Sequence, residues 1–421
     1  MDDDSNQSRS RNVISLLVAQ FLLAIAGALI GSILQIFAFE LGATFLLLGL
    51  MTVVQRSITA VLAPFWGKVS DKAQARKPFV IFSLFLGSFV TLGYLFIKNI
   101  YELLALLTLG SFIGVIGGPA LSAVTSTIGG YKKRSRFIGL FVSFSSLGWT
   151  IGSFLAVLII SSLGVNELFL LSFGLQILAA IILALGYKEI RNEIRIKKAV
   201  MDSIHEIEDK WKHIIANLRI RTMVSLRARK RASNLTINDL FIIILITSFS
   251  SSAFFLVFSI KLYLVLKRNI TTYVLLNAIS ALLSTLAPPI YGWIADRIGR
   301  KTVFAVFLLV RFVYMFLLAF LWDPLILSIL WILPIWVGLH VSLKGLIVDI
   351  VGEKYAASGQ SLISTADSIG VILGNLIGGL IADYLGCHAN IHNATILLLV
   401  TPAPFLFSSI RIFKLRLCRK Y

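Results

Sequence analysis

The chain has 421 residues, 57% of them hydrophobic and 14% charged, with a mean hydropathy of +0.90 and a formal net charge of +19. Soluble domains run at about 45–50% apolar and about 25% charged residues, so a water-soluble fold of this length is excluded: too few charges remain to cover the apolar surface. Nucleic-acid binding, which a pI near 10.1 raises, is argued against by where the charges sit.

The polar start, MDDDSNQSRSRN, leads into an apolar run over 13–39 that is too long for a signal-peptide core and reads as a retained first span. A hydrocarbon core of about 30 Å takes about 20 helical residues to cross. By that measure further spans follow at 45–66, 78–97, 103–127, 137–162, 167–187, 239–260, 272–291, 302–321, 324–348, 359–384 and 393–413. Membrane strands would be about half as long and would alternate strictly. The expected fold is therefore an all-α integral membrane protein with 12 transmembrane helices. An N-terminal six-helix bundle takes 1–187, a basic linker 188–238, and a C-terminal six-helix bundle 239–421. Within the linker, Ile204, Ile207, Trp211, Ile214 and Leu218 recur at helical spacing. They read either as an amphipathic helix on the inner leaflet followed by the basic run RIRTMVSLRARKR, or as a solvated connection.

An even number of spans puts both termini on one side. Of the 39 Lys and Arg, 32 fall on that side and only Lys98, Lys267 and Arg268 on the other. By the positive-inside rule the termini are cytoplasmic, and a multi-pass protein of the plasma membrane is expected. The basic balance is thus a topology signal, and nucleic acid is not an expected partner. Cys387 and Cys418 lie too far apart to frame a disulfide, and Cys387, His388 and His392 lack the spacing and the fourth ligand of a metal site. No nucleophile–base set, phosphate-binding loop or zinc signature appears, so neither an enzyme nor a cofactor is expected.

One charged phrase occurs twice: GKVSDKAQARK at 67–77 and GWIADRIGRK at 292–301. The flanks align too, APFWGKVSDK with PPIYGWIADR, so Pro64 corresponds to Pro289 and Gly67 to Gly292. A six-span unit has been duplicated, and an even count gives both copies the same orientation.

These residues resemble the major facilitator superfamily over nearly the whole chain. Its motif G-x-x-x-D-[RK]-x-G-[RK]-[RK] belongs in the loop between helices 2 and 3, with a weaker copy between helices 8 and 9. Here the second copy matches better, with Gly292, Asp296, Arg297, Gly299, Arg300 and Lys301. The first keeps Gly67, Asp71, Lys72, Arg76 and Lys77 but carries one extra residue and no turn glycine. The fifth and eleventh segments, GWTIGSFLAV and GVILGNLIGG, partly match a glycine pattern associated with antiporters; they read first as helix-packing glycines. The resemblance implies two bundles related by pseudo-two-fold symmetry, around a cavity bounded by helices 1, 2, 4, 5, 7, 8, 10 and 11. It also implies a cytoplasmic latch. Asp71 would receive backbone N–H groups at the start of helix 11 near Ser358, and Asp296 those at the start of helix 5 near Arg136, where the helix dipole favours negative charge.

Charged residues within a span are costly, so they are usually paired or line a cavity. Arg56, beside Gln55, falls about 18 Å into the second span by the helical rise, close to mid-depth. Lys344, His340 and Trp336 share one helix face, and Asp367 lies along a stripe with Ser364, Ser368 and Asn375. Gln20, Gly27, Gly31 and Gln35 repeat near helical spacing on the first span, as cavity residues or as packing contacts. On the implied map, Arg56, Lys344 and Asp367 fall at the cavity, and with Gln55, Gln35 and His340 they are the substrate or coupling candidates. Arg56 reads either as a substrate contact or gate or as half of a fixed internal pair, and His340 either as a proton-handling or as a packed polar residue. Lys344 and Asp367 neutralise each other in one reading and exchange partners with a proton in another. Arg311 falls on a helix outside the cavity and is expected to be structural, paired to an acid in the C-terminal half.

The functional expectation is a secondary transporter, a monomer in membrane lipid, moving a small-molecule substrate by alternating access. An organic anion is one candidate solute and protons one candidate coupling ion. The alternatives are a proton-driven multidrug efflux antiporter and a non-transporting receptor or scaffold on the same fold.

Overall fold

The computed structural model describes the backbone of residues 2–73, 75–128, 130–187, 234–352, 356–387, 390–414 and 416–417. The linker helix and basic run expected over 204–231 lie outside the described residues, as do His388 and Cys418. Of Arg136 and Ser358, the expected latch partners, only the backbone is described.

Lipid offers no hydrogen-bond partner, so a chain crossing it must pair its own backbone, and each apolar run becomes a helix. Among the described residues, 12 helices are long and apolar enough to span a bilayer. The first half contributes α1 (Arg11–Glu40), α2 (Phe45–Lys72), α3 (Lys77–Phe96), α4 (Ile100–Thr125), α5 (Gly139–Ser162) and α6 (Asn166–Gly186). The second contributes α7 (Ile237–Val265), α8 (Ile270–Ile298), α9 (Arg300–Phe320), α10 (Pro324–Val351), α11 (Gly359–Tyr384) and α12 (Ile391–Lys414). The α1 helix is interrupted at Ser32 and Ile33, α10 near Pro334, and α12 at Pro402; the two prolines remove a backbone donor where they fall. The face carrying both ends of the chain is called the basic face below.

Most of the repeated charged phrase is helix rather than loop, because nothing in GKVSDK or GWIADRI breaks one: α2 runs on to Lys72 and α8 to Ile298. The second copy stops at Gly299, whose φ of +98° only glycine adopts readily, and α9 starts at the next residue. The first copy has no such glycine and connects over residues 73–76 instead.

Packing repeats between the halves. The α5 helix lies on α1 through Gly148 and Gly152: a methyl at either position would sit 2.6 Å from the Phe21 or Ile25 carbonyl oxygen. The α11 helix lies on α7 through Gly370 and Gly374, which meet the Leu245 and Phe249 carbonyls in the same way. The partial antiporter pattern is thus occupied in helix packing in both halves. One buried cluster crosses between the halves, with Leu29, Ile36 and Phe45 against Phe254 and Phe258. A second, around Leu16, Val69, Phe79 and Phe137, belongs to the first half alone.

Polar residues close helix ends. Lys261 is fully buried, and its ammonium donates to the Leu318, Ala319 and Leu321 carbonyls at 3.0, 2.7 and 2.9 Å, 4.1 Å above the Trp322 ring. Those are carbonyls that the C-terminus of α9 leaves without helical partners, at its negative dipole end. Lys77 closes α6 in the same way, donating to Ala184 and Tyr187 at 2.7 and 2.6 Å. On the basic face Arg411 of α12 pairs with Asp239 of α7 at 2.6 Å. Beside it Asn234–Leu235 and Arg416–Leu417 form a two-residue parallel β pair.

Gly374→Val should destabilise the protein by about 1–3 kcal/mol or more, the usual cost of overpacking. Gly87→Ala, where an added methyl meets nothing within 4 Å, should leave stability unchanged or slightly raised. Thermal melting of the detergent-solubilised protein, followed by size-exclusion chromatography, compares the two.

Candidate functional site

The site is the seam between the halves. Its first component is α2 lying antiparallel to α11, with contacts that descend from the face opposite the basic one. At the top, Asp383 near the end of α11 accepts from the Phe45 and Leu46 backbone N–H groups at 2.8 and 3.0 Å. Thr44 accepts from Leu47 at 3.3 Å. Three of the four N–H groups that begin α2 are thereby satisfied, two by the opposite half. The carboxylate also sits where the α2 dipole favours it. Below this, Gly379 leaves room for the Phe45 carbonyl, and Gly49 for that of Asn375. At mid-depth the Arg56 guanidinium stands 3.4 Å from Asp367, both side chains about two-fifths exposed. The other Asp367 oxygen accepts from Ser248 of α7 at 2.6 Å.

Further contacts join the halves at other points of the seam. The Thr150 and Thr285 hydroxyls link α5 and α8 at 3.1 Å. Gln35 donates to the Leu256 carbonyl at 3.0 Å, and Arg268 pairs with Glu40 at 3.8 Å. Arg268 and its neighbour Lys267 hold φ near +60°, a left-handed conformation uncommon for residues with side chains. Asn269, within a glycosylation sequon, is occupied in capping α8, accepting from Thr272 at 2.9 Å.

Two cavities flank the seam. One of about 610 Å³ lies between the halves, lined by Gln35, Trp149, Asn277, Thr285 and Trp336 among others. The second, about 470 Å³, is lined by the C-terminal half alone and holds Arg311, His340, Lys344 and Asp367. Three of the sequence candidates, His340, Lys344 and Asp367, thus share a cavity, and Gln35 lines the other. Arg56 reaches Asp367 from the opposite bundle. Gln55 turns away from them, toward clefts beside α3 and α4 lined by Ser111 and Gly114. Adjacent helical positions diverge by about 100°, and here Gln55 and Arg56 point to different sides of α2.

Three expectations change. Asp367 is taken by Arg56 and Ser248 rather than by Lys344. Arg311 has no acid partner among the described residues: it is buried at 8% exposure, over the Phe255 ring at 4.6 Å and near Tyr314 at 5.5 Å. It also lines the second cavity instead of standing outside it, because its face of α9 turns toward α7 and α10.

The third change concerns the repeated phrase. Among the described residues, Asp71 pairs with Arg76 at 3.1 Å and Asp296 with Arg300 at 3.5 Å, both carboxylates more than three-fifths exposed. Arg300 bonds Asp349 of α10 at 2.8 Å and Arg297 lies over Trp293 at 3.9 Å. Gly67 faces Pro119 of α4 and Gly292 faces Val341 of α10, each within its own half. The bond from acid to opposite-half backbone, expected at the basic face, is made at the other end by Asp383. Near the basic face each aspartate takes the closest guanidinium of its own half.

Asp383 and Lys261 escaped the sequence reading. A lone acid closing a glycine-rich span, and a lone lysine late in an apolar one, are the signals that could have found them. Close to Asp383, burial and then that carboxylate push the Cys387 thiol up to about 11, so it stays protonated. His392 is occupied in stacking on Trp322, ring centroids 4.0 Å apart.

A family model described as Major Facilitator Superfamily matches residues 16–276 and again 240–413. The chain is 25% identical over 349 residues to a multi-drug resistance efflux pump PmrA homolog of Lactococcus lactis, covering 81% of this chain and 80% of that one. It is 24% identical over 390 residues to the MFS-type transporter MJ1560 of Methanocaldococcus jannaschii, covering 89% and 92%. The crystal structure of the nucleoside transporter NupG superposes with a TM-score of 0.69 at 13% identity, covering 95% of this chain and 98% of that one. A bacterial homolog of the human lysosomal transporter Spinster superposes at 0.70 and 13% identity, covering 98% and 99%.

Asp383→Ala leaves the Phe45 and Leu46 donors without their acceptor, a penalty of about 1–3 kcal/mol against this arrangement of the halves. Spin labels at the exposed positions Lys98 and Lys267, in a background with both cysteines replaced by serine, should report a new longer-distance population. An unchanged distance distribution would remove Asp383 from the control of that seam.

Proposed function

The chain belongs to the major facilitator superfamily, and on that premise we propose that this multi-pass membrane transporter moves a small organic solute by rocking its two bundles about mid-depth. The observation that carries the reading is the Arg56–Asp367 pair, an ion pair between the halves at mid-depth, beside two cavities. A charge pair across a moving seam stabilises one arrangement and must be exchanged for other partners in the next, which is what alternating access requires. In this reading the basic face is cytoplasmic, from the 32-to-3 distribution of Lys and Arg. The conformation described is closed on the outside by Asp383. Rocking would bring Asp71 and Asp296 to the backbone ends of α11 and α5 and engage the inner latch. A methyl on Gly67 would meet nothing closer than 3.6 Å here, and one on Gly292 nothing closer than 4.0 Å, so their smallness serves a different arrangement.

An organic anion is the solute class favoured by charge. Arg56, Arg311 and Lys344 outnumber Asp367 around the mid-depth site. Proton coupling is assigned to Asp367, whose protonation would release both Arg56 and the bundle. A second reading, proton-driven efflux of amphipathic compounds, is favoured by the similarity to the Lactococcus lactis efflux pump homolog. It is favoured too by the aromatic lining from Trp149 and Trp336.

Reconstitution into liposomes with an imposed pH gradient, and a panel of labelled organic anions and amphipathic cations, separates the two. Arg56→Ala should slow transport by about tenfold or more, equivalent to roughly 1.4 kcal/mol on the rate-limiting step, without loss of folded protein. Asp367→Asn should remove the response to the pH gradient. Unaltered kinetics in both variants would exclude the pair from the cycle, and export of cations alone would decide for the second reading.

A further inference from the structure

Arg311 is a charge that the packing around it leaves unanswered. It is more than nine-tenths buried, and its guanidinium lies over the Phe255 ring and near that of Tyr314. Ring faces attract the charge but give its five N–H donors no directed acceptor. Among the described residues no carboxylate, carbonyl or hydroxyl bonds to it. A buried cation with empty donors is costly, and a position that only had to fill space would be better served by leucine or methionine.

What Arg311 faces is the 470 Å³ cavity of the C-terminal half. Lys344 lines it from α10, and it too has no acceptor among the described residues. His340 lies within reach of the charges of Arg311, Lys344 and Asp367. Asp367 is the carboxylate of the lining, and both of its oxygens are engaged, one by Ser248 at 2.6 Å and one by Arg56 at 3.4 Å. Two cations therefore point into a space whose acid is committed elsewhere. The remaining wall is largely apolar, with Phe304, Leu308, Leu343 and Phe405. Cavities of roughly 300–1,000 Å³ with apolar walls and a few convergent polar groups are small-molecule sites. A guanidinium grips a carboxylate or phosphate through two parallel N–H donors, and an ammonium adds a point charge.

We propose that this cavity binds a small organic anion with an apolar body, its acid group held by Arg311 and Lys344 and its body against the phenylalanine walls. The proposal rests, for its physiological use, on the transporter reading above; the binding itself does not. It assigns Arg311 to solute binding and leaves Arg56, engaged with Asp367, as the link by which an occupied C-terminal half acts on its partner bundle.

The test is equilibrium binding to the purified full chain in nanodiscs, using 2-naphthoate, 2-naphthyl phosphate and the uncharged 2-naphthamide. Wild type should take up one or both anions in preference to the amide, the stronger of the two identifying the head group. Arg311→Gln should weaken anion binding by about 10- to 100-fold, the worth of charge-assisted hydrogen bonds, and leave the amide unaffected. Arg311→Lys should restore part of the loss. Should Arg311→Gln not fold, Lys344→Gln, at an exposed side chain, should still cost several-fold. Equal uptake of anion and amide by wild type, or an anion preference that survives both substitutions, would overturn the proposal. Anion binding without transport in liposomes would sink the transporter reading and leave the site standing, whereas transport without anion preference would do the reverse.

Discussion

A bilayer cannot hydrogen-bond, so each polar group carried into it must find its partner on the protein. That constraint organises this molecule from its helices to its seam. The Lys261 ammonium is answered by three α9 carbonyls, and the first amides of α2 by Asp383. Where a contact can be satisfied within one half, it fixes that half. Where it needs the other half, as at Asp383 and Asp367, it becomes a condition on how the bundles sit together. Movement between the bundles must then be an exchange of partners, because a bond broken in hydrocarbon without a substitute is a large loss.

The duplication is faithful in packing and unfaithful in charge. Glycines on α5 and α11 seat those helices on α1 and α7 in equivalent ways, and the repeated phrase ends α2 and α8 alike. Yet the charges set back from the span ends are divided unequally: Arg56 in the first half, Arg311, Lys344 and Asp367 in the second. The clefts of the first half around Gln55 are lined by serine, threonine, glycine and aliphatic residues, with no charged side chain among the described residues. The bundles thus share their packing while most of the charge within the spans lies in one of them.

What the sequence told in advance was what depends on distance along the chain. Span positions follow from bilayer thickness, and the repeat from direct comparison of two stretches. Arg56 and Asp367 stood out singly because an ion in an apolar run is expensive wherever it lies. Their pairing was not legible, since it depends on two helices of different bundles meeting at one depth. The acid-to-backbone bond was foreseen as a type of contact but placed at Asp71 and Asp296 rather than Asp383. A sequence states which residues are able to form such a bond but not which arrangement of the bundles is being looked at. The surroundings of Arg311 were hidden for a related reason: a map of which helices line the cavity does not say how far each is rotated about its own axis, and the rotation of α9 is what turns Arg311 toward the second cavity.

The connections that follow the repeated phrase differ in a way that bears on motion. The α2 helix ends at Lys72 and α3 begins at Lys77, whereas α8 and α9 are joined by Gly299 alone, with helix on either side. A one-residue joint keeps the two helix ends together whatever angle they take. A displacement of the end of α8 at the basic face therefore carries the start of α9, the helix that bears Arg311, along with it. In the C-terminal half, a single residue thus ties the end of the repeated phrase to the helix that carries a buried guanidinium.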